Sequence, residues 1–279
     1  MDAEELLNRY TAGERDFRSA NLANVNLANC DLPDINLRRA NLRQANLSGA
    51  NLVGANLREA VLRGTHLAQA VLRLSNLIGA DLTDANLQQA DLSEAGIRSA
   101  NLTRTQLFQA NLKEANLSEA NLDSAALREA NLSESSLSRT KMLGCDLTGA
   151  VLDNANLTSA LLNGAILENA SMVDAVLSGA TLEGADLRDV DLSRARLKGA
   201  NLVNVNLSRA NLRGANLSWS SLRGANLRGA TLYRAKLNWS NLSGAILTEA
   251  VMINASLTYT NLRNADLSGA ILPDGMTHE

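Results

Sequence analysis

The chain has 279 residues, of which 46% are hydrophobic and only 3% aromatic, and its formal net charge is −3 at pH 7. The first twelve residues carry three acids and no apolar stretch, and no eighteen-residue apolar run occurs anywhere. The sequence therefore predicts neither a secretory signal nor a membrane span, and we expect a cytoplasmic location. A sequence isoelectric point of about 5.6 also disfavours a nucleic-acid-binding protein.

Residues 1–14 are predicted to form a short N-terminal capping α-helix. Asp2 followed three residues later by Glu5 is typical of a helix N-cap, and Leu6 and Tyr10 lie on one helical face. We expect that face to cover the open first coil of the repeat that follows.

Residues 15–272 form an uninterrupted repeat of fifty-two pentapeptides, whose central residue is Leu in forty-seven copies and another large apolar residue in five. The residue two places earlier is Ala in thirty-seven copies. On an α-helix a five-residue step would spread the leucines around the circumference, and on a straight strand it would alternate them between faces. The chain must turn a corner once per repeat, which describes a solenoid with one domain and no linker.

Glycine and proline mark where the corner lies. Fifteen of the eighteen glycines stand two residues after the central Leu, where a type II turn requires positive φ. Pro33 and Pro273 stand one residue earlier, at the first central position of the turn.

Runs such as Ala20-Asn21-Leu22, Ala40-Asn41-Leu42 and Ala265-Asp266-Leu267 resemble the pentapeptide-repeat family, over nearly the whole chain. The resemblance implies an all-β fold, a right-handed quadrilateral parallel β-helix with four repeats per coil. It also implies that the Asn or Asp before Leu bonds to the backbone. At a coil spacing of about 4.8 Å, about 13 coils would make a rod roughly 60 Å long.

Both ends resemble family members that have a short helix before a similar entry and a similar tail. Here these are Arg15-Asp16-Phe17 and Pro273-Asp274-Gly275. One such relative regulates cell differentiation in filamentous photosynthetic bacteria by contacting a transcription factor. The resemblance thus implies a regulatory, non-enzymatic role.

The C-terminal tail, residues 273–279, is short and would leave the last coil poorly covered. An exposed parallel edge favours pairing with another chain, so one interpretation is a homodimer through the C-terminal end. The alternative is a tail that folds back over the edge.

Sorting residues onto four faces shows a charge asymmetry. The face centred on Phe17, Leu37 and so on to Leu257 holds ten basic and three acidic residues, whereas two other faces are net negative. Stacked like charges repel unless they are neutralised, and Glu59 is one available counter-charge. The basic column is either a hydrated stripe or a contact for an anionic partner, and its members are Arg18, Arg38, Arg58 and Arg98, with Arg39 beside them.

Three of the seven aromatic residues fall in one outward corner column of the same face, close to three cations. Aromatic and basic residues together are typical of protein interfaces and of single-strand nucleic-acid platforms. The alternative is a ladder that only stabilises the last coils by stacking on itself. The predicted partner-binding residues here are Trp219, Trp239 and Tyr259, with Arg196, Lys198 and Lys236.

The sequence predicts no catalytic, cofactor or metal site. Cys30 and Cys145 occupy the small inward position, where a thiol is an apolar filler, and the two histidines lack a neighbouring nucleophile or carboxylate pair. The column of Glu94, Glu114 and Glu134 offers oxygen ligands, but such a ladder normally sits in water beside cations.

We therefore predict a non-enzymatic interaction rod, regulatory in role, whose basic face contacts an acidic protein surface. The resemblance also raises mimicry of DNA toward a topoisomerase, which would need a negative surface. Residues 192–236 hold nine basic and no acidic residues, which argues against mimicry. Direct binding of an anionic polymer and a structural rod without a partner are the remaining alternatives.

Overall fold

Helix α1 spans Ala3–Thr11, and the rest of the chain consists of turns joined by single-residue parallel β-bridges. The structure, a computed structural model, describes residues 1–279. Its contacts divide the chain into two compact units, Met1–Lys141 and Met142–Glu279.

Every parallel bridge joins a residue to the one twenty positions later. In the first unit the bridges run from Asp16 with Asn36 to Asn121 with Lys141. In the second unit they run from Asp146 with Ile166 to Val251 with Ile271. Each pentapeptide contributes one bridge, so four pentapeptides complete a coil within each unit.

Backbone hydrogen bonds between adjacent coils fix this register, and the Asn46 amide donates to the Val25 carbonyl of the preceding coil at 2.8 Å. The Leu47 amide donates to the His66 carbonyl at 2.7 Å, and the Gly49 amide donates to the Ala68 carbonyl at 2.9 Å. The same pattern recurs along each unit. Adjacent coils are therefore held by the ladder that parallel strands use, although no strand is longer than one residue.

The corner has the predicted conformation. The Ala50 amide donates to the Leu47 carbonyl at 3.0 Å, and Gly49, the second central residue of that turn, has a φ of 64°. Thirty-six corners adopt the same region without glycine, at φ values from 53° to 64°. None of these thirty-six residues is β-branched, because a branched Cβ tolerates positive φ least. Glycine thus marks a corner conformation that nine other residue types also adopt.

The core is built from the two inward columns. The central leucines are fully buried from Leu22 to Leu247, and the small residues two places earlier are nearly all buried with them. Several small residues that carry a hydroxyl donate it to backbone: Thr65 donates to the Leu42 carbonyl at 2.9 Å, whereas the buried Ser75 hydroxyl has no partner. The residue before the central Leu also bonds to backbone, since Asn46 Oδ1 accepts from the Ser48 amide at 3.1 Å. The interior of each unit is therefore uniform.

Helix α1 covers the beginning of the first unit. The Asp2 carboxylate accepts from the Glu5 amide at 2.8 Å, which is the expected N-cap. Leu6 is fully buried, and the Tyr10 hydroxyl donates to the Pro33 carbonyl at 2.8 Å.

At the C-terminal end the tail folds back over one side of the last coil. Thr277 forms an antiparallel bridge with Ile271, and the His278 amide donates to the Ala270 carbonyl at 2.8 Å. On the other three sides the central residues are partly exposed and their amides donate to no carbonyl. These are Leu257, Leu262 and Leu267. The folded tail and the open edge therefore coexist.

Substitutions at two glycines test whether the positive φ of the corner restricts which residue types can occupy it. Gly79 has a φ of 65°, Gly96 lies in a β-bridge, and an added Cβ would meet its nearest neighbour at 3.7 Å and 3.9 Å, respectively. We expect Gly79→Val to lower stability by about 1–2 kcal/mol, because a branched residue is strained at positive φ. Gly96→Val should be neutral or stabilising. Thermal melts followed by circular dichroism compare the two, and equal losses would contradict the assignment of the cost to φ.

Candidate interaction surfaces

Three aromatic side chains stack outside the second unit. The ring centroids of Trp219 and Trp239 are 5.1 Å apart with planes 6° from parallel, and the Tyr259 ring lies 4.1 Å from that of Trp239 at 27°. All three occupy positive-φ corners, which project their side chains outward at twenty-residue intervals. The three residues remain 57%, 49% and 71% exposed. We call these three residues the aromatic ladder.

The predicted cations beside the ladder form no direct ion pair. Arg196, Lys198 and Lys236 are exposed, and none lies within ion-pair distance of a carboxylate. The β-bridges place Asn216 between Arg196 and Lys236 in successive coils. Residues 192–236 contain no acid. In the coil before Arg196, Asp174 pairs with Arg194, and the hydrogen bond from Arg194 together with the charge of Arg196 lowers the pKa of Asp174. The aromatic ladder and these three cations form what we call the ladder surface.

The second unit also contains an aromatic contact that the sequence did not predict. The guanidinium groups of Arg213 and Arg234 lie 5.1 Å and 5.0 Å from the centroid of the Tyr233 ring. Arg213 stands one coil before Tyr233, so the twenty-residue step would have predicted that contact. Four other arginines of the second unit do form ion pairs, namely Arg188, Arg194, Arg209 and Arg228.

The basic column of the first unit differs because its charges are paired. Glu59 accepts from Arg39 at 2.5 Å and from Arg58 at 3.0 Å, and Arg38 lies 3.8 Å away. The hydrogen bond from Arg39 is the main reason why the pKa of Glu59 is lowered. We call Glu59 and these three arginines the Glu59 cluster.

The other two arginines of the column are also neutralised. Arg18 pairs with Asp16 at 2.6 Å, and Arg98 pairs with Glu119 at 3.3 Å. The repulsion expected from stacked arginines is therefore relieved within the chain.

The remaining columns have local partners. Gln69, Gln89 and Gln109 form a hydrogen-bonded ladder, with both bonds at 3.0 Å. Glu94 pairs with Arg73, and Glu134 pairs with Lys113. No group of three or more His, Cys, Asp or Glu residues is arranged to hold a metal ion.

Cys30 and Cys145 form no disulfide. Cys145 is buried, and partial burial raises the pKa of the Cys30 thiol.

The chain belongs to the pentapeptide-repeat family. The family model for pentapeptide repeats, which describes eight copies, matches overlapping segments that begin at residue 20 and end at residue 272. Members form right-handed quadrilateral β-helices and are generally non-enzymatic structural or interaction proteins. The twenty-residue bridge register of both units agrees with that fold.

Among solved structures, the chain is 36% identical to HetL from the cyanobacterium Nostoc sp. strain PCC 7120, a pentapeptide-repeat protein involved in heterocyst differentiation regulation. That match covers 100% of both chains, with a TM-score of 0.30. Rfr23 from Cyanothece 51142 is 28% identical over 45% of this chain and 86% of its own, with a TM-score of 0.36.

Full-length QnrB1, a plasmid-mediated fluoroquinolone resistance protein, is 14% identical over 63% of this chain and 87% of its own, with a TM-score of 0.24. No curated protein matches the chain. No helix in the structure has the length and apolar character needed to cross a lipid bilayer.

The Glu59 cluster gives a pH-dependent prediction. A carboxylate whose folded-state pKa is lowered stabilises the fold above its unfolded pKa of about 4.3, and this contribution disappears as pH falls through the folded pKa. Glu59→Gln should therefore lower the melting temperature at pH 7 but not at pH 2. Melting curves of wild type and variant across this range measure the difference.

Glu183→Gln is the matched control, because no cation lies within ion-pair distance of Glu183. It should leave the melting temperature unchanged at pH 7. A Glu59→Gln effect of the same size at pH 2 as at pH 7 would show that packing, rather than charge, explains it.

Proposed function

We propose that this protein is a non-enzymatic interaction protein with a regulatory role, and that its ladder surface binds an acidic patch on a protein partner. The observation that carries the proposal is the coincidence of an exposed aromatic ladder with three cations that form no direct ion pair with a carboxylate. Tryptophan, tyrosine and arginine are the residues that contribute most to binding at protein interfaces. Unpaired cations also favour a partner of opposite charge.

The paired arginines of the first unit are a weaker candidate. An acidic partner would have to displace Glu59 from Arg39 and Arg58, so each new contact would replace an existing one. Arg196, Lys198 and Lys236 have no such contact to lose. We therefore assign the main contact to the ladder surface and only a secondary role to Arg18, Arg38, Arg39, Arg58 and Arg98.

A regulatory role draws support from the relationship to HetL, since 36% identity extends over both full chains. HetL is involved in the regulation of heterocyst differentiation. We extend only a regulatory role from HetL to this chain, because the ladder surface is defined by this chain's own residues.

The alternatives agree less well with these features. DNA mimicry requires a negative surface, whereas residues 192–236 carry only positive charge. A polynucleotide platform needs ring faces open to successive bases, but both faces of Trp239 are occupied by neighbouring rings. A purely structural ladder would account for the stacking, though not for the unpaired cations beside it.

The number of coils, the bounds of the repeat domain and the oligomeric state are also proposals. We keep about 13 coils as the expected total, on the spacing of parallel strands, and 15–272 as the repeat domain. We also keep a homodimer through the C-terminal end, since three sides of the last coil retain unpaired amides.

The interface proposal predicts the outcome of a double substitution. Trp219→Ala with Trp239→Ala should reduce recovery of the native partner by at least about tenfold, because aromatic anchors dominate interface energy. Affinity capture from the native lysate, quantified by mass spectrometry, measures recovery. Circular dichroism shows whether the β-rich fold persists.

Tyr233→Ala is the matched control, because Tyr233 is an aromatic residue of the same unit outside the ladder. It should leave recovery unchanged. Equal recovery by the double variant and wild type would contradict the proposed interface, and a lower melting temperature without loss of recovery would leave the ladder with a stabilising role alone.

A further inference from the structure

The aromatic ladder ends at a position without a side chain. Trp219 stacks against Trp239 through one ring face, so its other face is turned toward the preceding coil. The residue in the same corner of that coil is Gly199, and Gly179 precedes it. A Cβ added at Gly199 would meet nothing within 4 Å. One rung of the ladder is therefore open beside the free face of Trp219.

Both charged residues in the pentapeptide of the open rung are positive. Lys198 is the neighbour of Gly199 in the same turn, and Arg196 lies three residues before it in the same coil. Both are exposed and lack a carboxylate within ion-pair distance. A group that enters the rung would thus be surrounded by cations.

We propose that the open rung at Gly199 receives a single aromatic side chain from a protein partner, and that Asp or Glu residues flank this side chain. The inference rests on the proposed function and adds the chemistry by which the partner is recognised. A planar ring stacks on Trp219 as Trp239 does on the other side, whereas an aliphatic side chain cannot reproduce that contact. Flanking carboxylates meet Lys198 and Arg196, whereas an arginine in the rung would be repelled by them.

The ladder geometry leaves only the outer faces of Trp219 and Tyr259 open to a further ring. Tyr259 and Trp219 cover the two faces of Trp239, so no ring can stack there. The Gly199 end offers one free face with cations beside it. One aromatic residue with acidic neighbours therefore matches the site better than a run of stacked bases.

The backbone allows the rung to be filled from within the chain. The φ of Gly199 is 68°, close to the 64° of Trp219 and the 58° of Tyr259. A tyrosine at position 199 can therefore adopt the conformation that the ladder residues already have, and its ring would occupy the open rung. Gly244→Tyr is the matched control, because Gly244 has a φ of 66°, equally open space and no aromatic residue in its corner column.

Intrinsic fluorescence can follow binding, because the only two tryptophans of the chain are Trp219 and Trp239. The test peptide is acetylated Asp-Asp-Phe-Asp-Asp amide, which has no tryptophan. It should change the emission of wild type and of Gly244→Tyr in a saturable way, with an affinity at least about tenfold higher than that of Asp-Asp-Leu-Asp-Asp or Lys-Lys-Phe-Lys-Lys. Gly199→Tyr should lose the response while its circular dichroism spectrum is retained.

Three results would overturn the inference. They are equal affinity for the Phe and Leu peptides, an undiminished response in Gly199→Tyr, and tighter binding of a thymidine oligonucleotide than of the acidic peptide. Either of the first two results would reject the open rung without rejecting the ladder surface. The ladder surface has its own test, which is partner recovery by the Trp219→Ala, Trp239→Ala variant. Loss of recovery in that experiment, together with failure of the peptide, would retain the interface and reject only the rung.

Discussion

The hydrogen bonds between coils are the interaction on which the rest of the structure depends. Before the last coil, the pentapeptides donate two amides each to carbonyls of the following coil, and the twenty-residue register of each unit follows from these bonds. This register requires a corner with positive φ in every repeat, and fifty-one of the fifty-two repeats have one. Most of these corners are occupied by residues other than glycine, so the strain at the corners is offset by hydrogen bonding and burial distributed along the coils.

The same register separates the inward and outward columns. Inward positions must fill a constant volume, and they are almost uniformly Leu and Ala. Outward positions have no such volume restriction. Charged or aromatic side chains twenty residues apart can therefore lie next to each other in adjacent coils. Asp189 with Arg209 and Asp174 with Arg194 use this spacing to form ion pairs. The ladder surface uses it to stack rings beside cations that remain unpaired.

The five-residue period was sufficient to predict the core columns, the corner and the columns of twenty-residue spacing. It therefore also predicted the aromatic ladder. Which cations are free could not be predicted, because the reach of Glu59 to three arginines depends on side-chain conformations in two adjacent coils. The sequence also did not decide between a folded-back tail and an open edge, because the pairing of Thr277 with Ile271 is a tertiary contact without a repeat pattern. The division between paired and unpaired charge is what the structure adds to the predicted site.

Site-specific photo-cross-linking in native cells tests most directly whether the partner meets the ladder surface. A benzophenone side chain would replace Thr258, which is exposed next to Tyr259, or Ser19, which lines a cleft with Arg18, Arg38 and Arg39. The proposed function predicts a cross-linked partner from position 258 that is lost when Trp219 and Trp239 are changed to Ala, and a weaker product or none from position 19. A partner cross-linked from position 19 alone would contradict the assignment.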